Sequence, residues 1–277
     1  MRTINILFAA MAAFVAASCN KEARMAVPEV EQACTPICFK VDGLDVDFST
    51  KVTPVTDMDS FNVIASTGGT GAETQSWTAV ATKSGDSYIT NKYWPNADPS
   101  YHFYAGNTSM TFTANGATVT SDSSEDIVCA YKNLPTYNAP TTMVFHHILT
   151  RLGNVTISSS GGYTMTVTSV GIKKLRTSGT YNLRTRVWSG TNEIALQTIQ
   201  EGSNDMYFVP GQYDVSVTFT LVKGDFSGTY TSVGTVDFPV EKICNLAIDI
   251  AKDPAVLVSF SVTIASWEPK SIPVTIM

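Results

Sequence analysis

The chain has little charge, few histidines and no long apolar run after its first twenty residues, and each shortage removes a class of function. Only 15% of its 277 residues are charged, the formal net charge is −6, and Lys and Arg form no long basic run. A phosphate backbone is gripped by clustered cations that release its counterions, so nucleic acid is not an expected partner. With three histidines, no glycine-rich phosphate loop and no Gly-x-Ser-x-Gly elbow, there is no nucleophile and base to pair. Neither an enzyme activity nor a cofactor is expected. Cys34 and Cys38 are not followed by a His or Cys pair at zinc spacing, and Asp122, Glu125 and Asp126 lack the ligand spacing of a calcium loop, so no metal is expected either. The longest apolar stretch, Ile4 to Val15, is shorter than the ~20 residues of a membrane-spanning helix.

That stretch reads instead as export. Arg2 supplies the positive start, the apolar run follows, and the small residues Ala16, Ala17 and Ser18 precede Cys19. Residues 1–18 are therefore assigned as a signal peptide. Small residues ending at a cysteine, followed by Asn20-Lys21-Glu22, resemble a bacterial lipobox, in which cleavage leaves Cys19 as the lipidated N-terminus. Two or more acyl chains would hold the protein stably at a membrane, where one would not. Ala16 stands where that motif usually has Leu, which leaves ordinary signal cleavage beside an unmodified Cys19 as the alternative.

What is abundant is β composition: Thr, Ser, Val, Gly and Tyr. Leu44, Val46 and Phe48 alternate with Asp45, Asp47 and Ser49, which places three apolar side chains on one face of a strand. Phe61 to Ala65, Trp77 to Ala81 and Tyr101 to Ala105 read as further half-buried strands, separated by turn-forming clusters of Gly, Asn, Asp, Ser and Pro. The second half repeats the theme from Met143 to Ile264, with turn signals about every ten residues. No segment sustains a helical apolar stripe. The expectation is an all-β chain of two successive β-sandwiches: a tether over 19–36, one domain over 37–138 and a second over 139–277.

Trp94, Tyr101 and Phe103 suit the space between two sheets, while Tyr93 or Trp94 could alternatively offer a platform on which a sugar stacks. His146 and His147 are adjacent, so in a strand they point to opposite faces and cannot share one metal or one substrate proton. Cys34, Cys38, Cys129 and Cys244 can form disulfides in an exported protein or stay as thiols; sequence does not choose.

Four segments in order resemble the fimbrillin-like (Mfa-like) family of pilus subunit lipoproteins. They are Phe48 to Thr53 with Ser60 to Val63; Tyr93-Trp94-Pro95 with Tyr101 to Ala105; Asp126 to Ala130 leading to Phe145 to Leu152; and Val209-Pro210-Gly211-Gln212-Tyr213 with Trp267. The resemblance implies transthyretin-like sandwiches, a lipid-anchored precursor in the outer membrane, and a place in the cell-surface fimbrium. It also implies that a trypsin-like protease cuts after the first strand and that a neighbouring subunit's C-terminal strand fills the vacated groove. Lys51 is the corresponding cleavage residue, with Arg24 as an alternative that would leave the first strand in place. Leu44, Val46 and Phe48 would be the strand removed, and Ile272, Val274 and Ile276 the strand donated. Partners on this view are other pilus subunits, the outer membrane through the lipid, and a host glycan or protein receptor. The competing possibility is a monomeric glycan-binding surface lipoprotein.

Overall fold

The computed structural model describes residues 36–42, 58–94, 100–134, 141–159, 164–250 and 258–265. Among them every regular element is a strand: β1 (Pro36–Asp42), β2 (Ser60–Thr67), β3 (Thr74–Ser84), β4 (Ser87–Tyr93), β5 (Tyr101–Gly106), β6 (Thr111–Thr113), β7 (Gly116–Ser121), β8 (Val128–Leu134) and β9 (Thr141–Val144). They continue as β10 (His146–His147), β11 (Thr150–Ser159), β12 (Thr164–Asn182), β13 (Val187–Ile199), β14 (Gly202–Phe208), β15 (Gly211–Lys223), β16 (Phe226–Phe238), β17 (Ile243–Ile250) and β18 (Val258–Ala265).

The strands form an eight-stranded sheet in the order β10-β8-β5-β2-β3-β4-β1-β9, a four-stranded sheet β14-β11-β17-β18, and a six-stranded sheet β16-β15-β12-β7-β6 with β13 added to β12. Pairing is antiparallel except for β1 with β9 and β11 with β17. Two sheets cross the boundary suggested after residue 138. The eight-stranded sheet takes in β9 and β10, and the sheet built on β12 takes in β6 and β7.

Period-two patterning accounts for the packing. In β15, Tyr213, Val215, Val217, Phe219 and Leu221 are buried while Asp214 is exposed and Ser216, Thr218 and Thr220 are half-buried. The buried row meets Leu152 and Val155 of β11 and Leu246, Ile248 and Ile250 of β17 in one core. A second core lies on one face of the eight-stranded sheet around Phe39, Phe61, Phe103 and Phe145. A third lies on its other face, where Ile64, Tyr104 and Cys129 meet Val119, Tyr181, Leu183 and Val209.

The centre of the eight-stranded sheet is thus covered on both sides. β5, expected to be half-buried, is buried at all six positions, because Tyr101, Phe103 and Ala105 enter one core and Tyr104 the other.

Candidate functional site

Cys19, Arg24, Lys51, the trio Leu44, Val46 and Phe48, and the trio Ile272, Val274 and Ile276 all lie outside the described residues. The described body nevertheless contains a strand upstream of Lys51. β1 runs antiparallel to β4, with Cys38 opposite Ile89 and Phe39 opposite Tyr88, and parallel to β9, with Phe39 opposite Thr141 and Asp42 opposite Val144. Among the described strands β9 pairs only with β1. Ile37 and Phe39 are fully buried. The Phe39 ring stands edge-on to Phe103 at 5.3 Å and to Phe61 at 6.1 Å between centroids, a favoured arrangement for aromatic quadrupoles. Thr90 Oγ1 donates to the Ile37 carbonyl at 3.2 Å.

β1 falls in the span assigned from sequence to a tether and the start of a domain. Its own pattern could have revealed it, since Ile37, Phe39 and Val41 alternate with Cys38, Lys40 and Asp42.

A buried polar cluster fastens the other side of the same sheet. Glu73, in the turn between β2 and β3, is 7% exposed. It accepts hydrogen bonds from Ser66 Oγ at 3.0 Å, from the Tyr104 hydroxyl and from Arg184 Nη1. His102 lies beside it, its Nδ1 2.9 Å from the Tyr131 hydroxyl and its Nε2 3.0 Å from the Gly68 carbonyl oxygen. Burial pushes the Glu73 carboxyl up, but the bonds from Tyr104 and Ser66, with His102 and Arg184 nearby, leave it below its ordinary value. Burial and the adjacent carboxylate push the Tyr104 phenol well above its usual range. Gly116 permits the arrangement, because its φ is +100° and a Cβ there would lie 2.7 Å from the Tyr104 hydroxyl. With the acceptors filled by donors inside the protein, the cluster acts as a clamp joining β2, β5, β8 and the β12–β13 turn.

A second clamp explains the Val209 to Tyr213 segment. The Tyr213 hydroxyl donates back to the Val209 carbonyl at 2.5 Å and accepts from Arg176 Nε at 3.0 Å, while Arg176 Nη2 donates to the Pro210 carbonyl at 2.7 Å. It works like the tyrosine corner of β-sandwiches, where a hydroxyl ties the chain to backbone a few residues upstream. At Gly211 a side chain would collide with the Arg176 guanidinium.

The remaining candidates separate. Trp94 is 4% exposed and packs edge-on to Tyr101 and Phe103, so its ring is unavailable to a ligand, whereas Tyr93 is 47% exposed. His147 pairs with Asp126, Nδ1 to Oδ2 at 2.8 Å, while His146 accepts from Arg186 on the opposite side of the strand. Asp122 accepts from the Ser124 amide within its own loop. Cys38, Cys129 and Cys244 are free thiols.

A family model described as fimbrillin-like matches residues 50–267. A solved structure of a cell-adhesion candidate from Parabacteroides distasonis shares the fold, with a TM-score of 0.50 and 8% identity over 84% of this chain and 100% of that one. A fimbrilin from Porphyromonas gingivalis aligns with a TM-score of 0.46 and 8% identity over 83% of this chain and 96% of its own. A further cell-adhesion candidate, from Bacteroides eggerthii, aligns with a TM-score of 0.45 and 12% identity over 84% and 96% of the two chains. No curated protein matches the chain.

Proposed function

Because the chain belongs to the fimbrillin-like family, we propose that it is a structural or adhesive subunit of a cell-surface pilus, exported as a lipoprotein through Cys19 and assembled by strand exchange. The protein acts by binding and assembling, not by catalysis. A trypsin-like cut after Lys51 releases everything upstream of Val52, including β1 and the Leu44, Val46 and Phe48 segment. The observation that carries this reading is the seat of β1, a short strand lodged between β4 and β9 by two fully buried side chains.

Withdrawing β1 uncovers the sites of Ile37 and Phe39, each worth ~1.5 to 3 kcal/mol of apolar burial. It also strips the backbone partners from β9 and from one side of β4, leaving an edge that templates pairing with another chain. Ile272, Val274 and Ile276 of a neighbouring copy supply a replacement trio, so that one subunit's tail completes the next subunit's sheet. The family match begins at residue 50, two residues ahead of the proposed new N-terminus at Val52, so β1 stands outside the matched span. Lys51→Ala tests the reading: the variant should be exported and folded yet remain unpolymerised on the cell surface, and a variant that polymerises like the parent removes the cleavage step.

A further inference from the structure

A groove of about 380 Å³ opens where the end of β12 and the start of β13 face the turn before β15 and the turn after β16. Its aromatic lining is Trp188, tilted against Tyr181 with ring centroids 5.2 Å apart. Trp188 Nε1 is shielded from solvent and finds no hydrogen-bond partner among the described residues. Native proteins leave few buried donors unpaired, because the lost hydration is not recovered. Around the aromatic pair stand one cation and two carboxylates: Arg186, Asp237 and Glu241.

The cation is held in place. Arg186 Nη2 donates to His146 Nε2 at 3.0 Å, and His146 Nδ1 lies 3.4 Å from Glu241 Oε1. A guanidinium only donates, so Nε2 is the bare nitrogen and the imidazole sits as a spacer between guanidinium and carboxylate. Asp237, by contrast, is exposed at the rim.

We infer that this groove is a receptor site for a neutral saccharide unit, a mono- or disaccharide presented by a larger glycan. A sugar ring has an apolar face that stacks on an aromatic ring and hydroxyls that both donate and accept. The groove offers each complement: the half-buried Trp188 ring, a donor in Arg186, and acceptors in Asp237 and Glu241. Two carboxylates against one guanidinium disfavour sialylated or sulfated sugars. The volume lies toward the small end of the ~300 to 1,000 Å³ typical of small-molecule pockets. None of these residues belongs to β1 or to the proposed cut and donor segments, so the site stands whether or not strand exchange occurs.

The test screens the full chain on an array of neutral, sialylated and sulfated glycans, then measures the best binder in solution by saturation-transfer NMR. Neutral glycans should bind, and their sialylated or sulfated counterparts should bind about tenfold more weakly or worse. Trp188→Ala should lose about tenfold or more, and Trp188→Phe, which keeps the stacking face but not the N–H, should lose less. Asp237→Asn, at an exposed position, should keep the parent melting temperature and still weaken binding, which separates recognition from folding. The absence of any neutral binder, a preference for anionic glycans or for basic peptides, or affinity unchanged by Trp188→Ala and Asp237→Asn would each overturn the proposal.

Discussion

Glu73 and Arg184 meet as an ion pair across 111 positions of sequence, and the Glu73 side chain is wholly withdrawn from solvent. Removing Arg184 would leave that carboxylate with only hydroxyl and imidazole neighbours. Breaking a buried pair by deleting one partner costs about 3 to 5 kcal/mol. The hydroxyls of Ser66 and Tyr104 soften the loss, so Arg184→Ala should lower unfolding stability by about 3 kcal/mol, the bottom of that range. Urea denaturation reads this directly, and a change under about 0.5 kcal/mol, the scale of an ordinary surface substitution, would show that the pair does not clamp the fold.

The same carboxylate predicts an acid limit. Its pKa in the folded protein lies below the ordinary value of 4.5, so unfolded chains bind its proton more readily than folded ones. Its contribution is complete above that ordinary value and is lost as pH falls through the depressed folded value. Melting temperature should therefore fall below about pH 4.5 more steeply in the parent than in Glu73→Gln, which has no carboxyl to titrate. Parallel pH profiles would refute the assignment.

Tyr213→Phe isolates the second clamp. The ring stays, but the hydroxyl bonds to the Val209 carbonyl and to Arg176 Nε disappear. One of the bonds lost is to a charged donor, so a loss of about 2 kcal/mol is expected. Calorimetric melting of the two proteins measures it.

The thiols should differ in reactivity. Burial pushes the Cys244 thiol up to about 12, with the Asp237 carboxylate adding to the shift, and Cys129 is raised further by burial and by Asp126. Only the thiolate alkylates. Peptide mapping after iodoacetamide at pH 8 should find half-exposed Cys38 labelled in the native protein, and Cys129 and Cys244 labelled only after denaturation.

Much of this body was legible because strand alternation records burial on a single face. Phe61 to Ala65 lies inside β2 and Trp77 to Ala81 inside β3, where the alternating residues indicate strands. The same logic underrated β5. A strand buried on both faces carries no alternation, and its second cover, from β7 and the end of β12, lies remote in sequence. Glu73 left no trace at all. It sits in a run of Gly, Ala and Thr with the composition of an exposed turn, and only folding brings Arg184 to it. The groove beside Trp188 is equally silent, since Tyr181, Asp237 and Glu241 come from separate strands and turns. β1 carries its own alternation in Ile37, Phe39 and Val41, close ahead of the alternation at Leu44, Val46 and Phe48.

In the proposed assembly the segment ahead of Val52 leaves and another copy's tail takes its place. The most direct measurement is the N-terminal sequence of protein recovered from assembled surface polymers. Chains in the polymer should begin at Val52, with the β1 peptide carrying Cys38 missing from the digest. Polymer subunits that still begin at Cys19, with β1 intact, would contradict it.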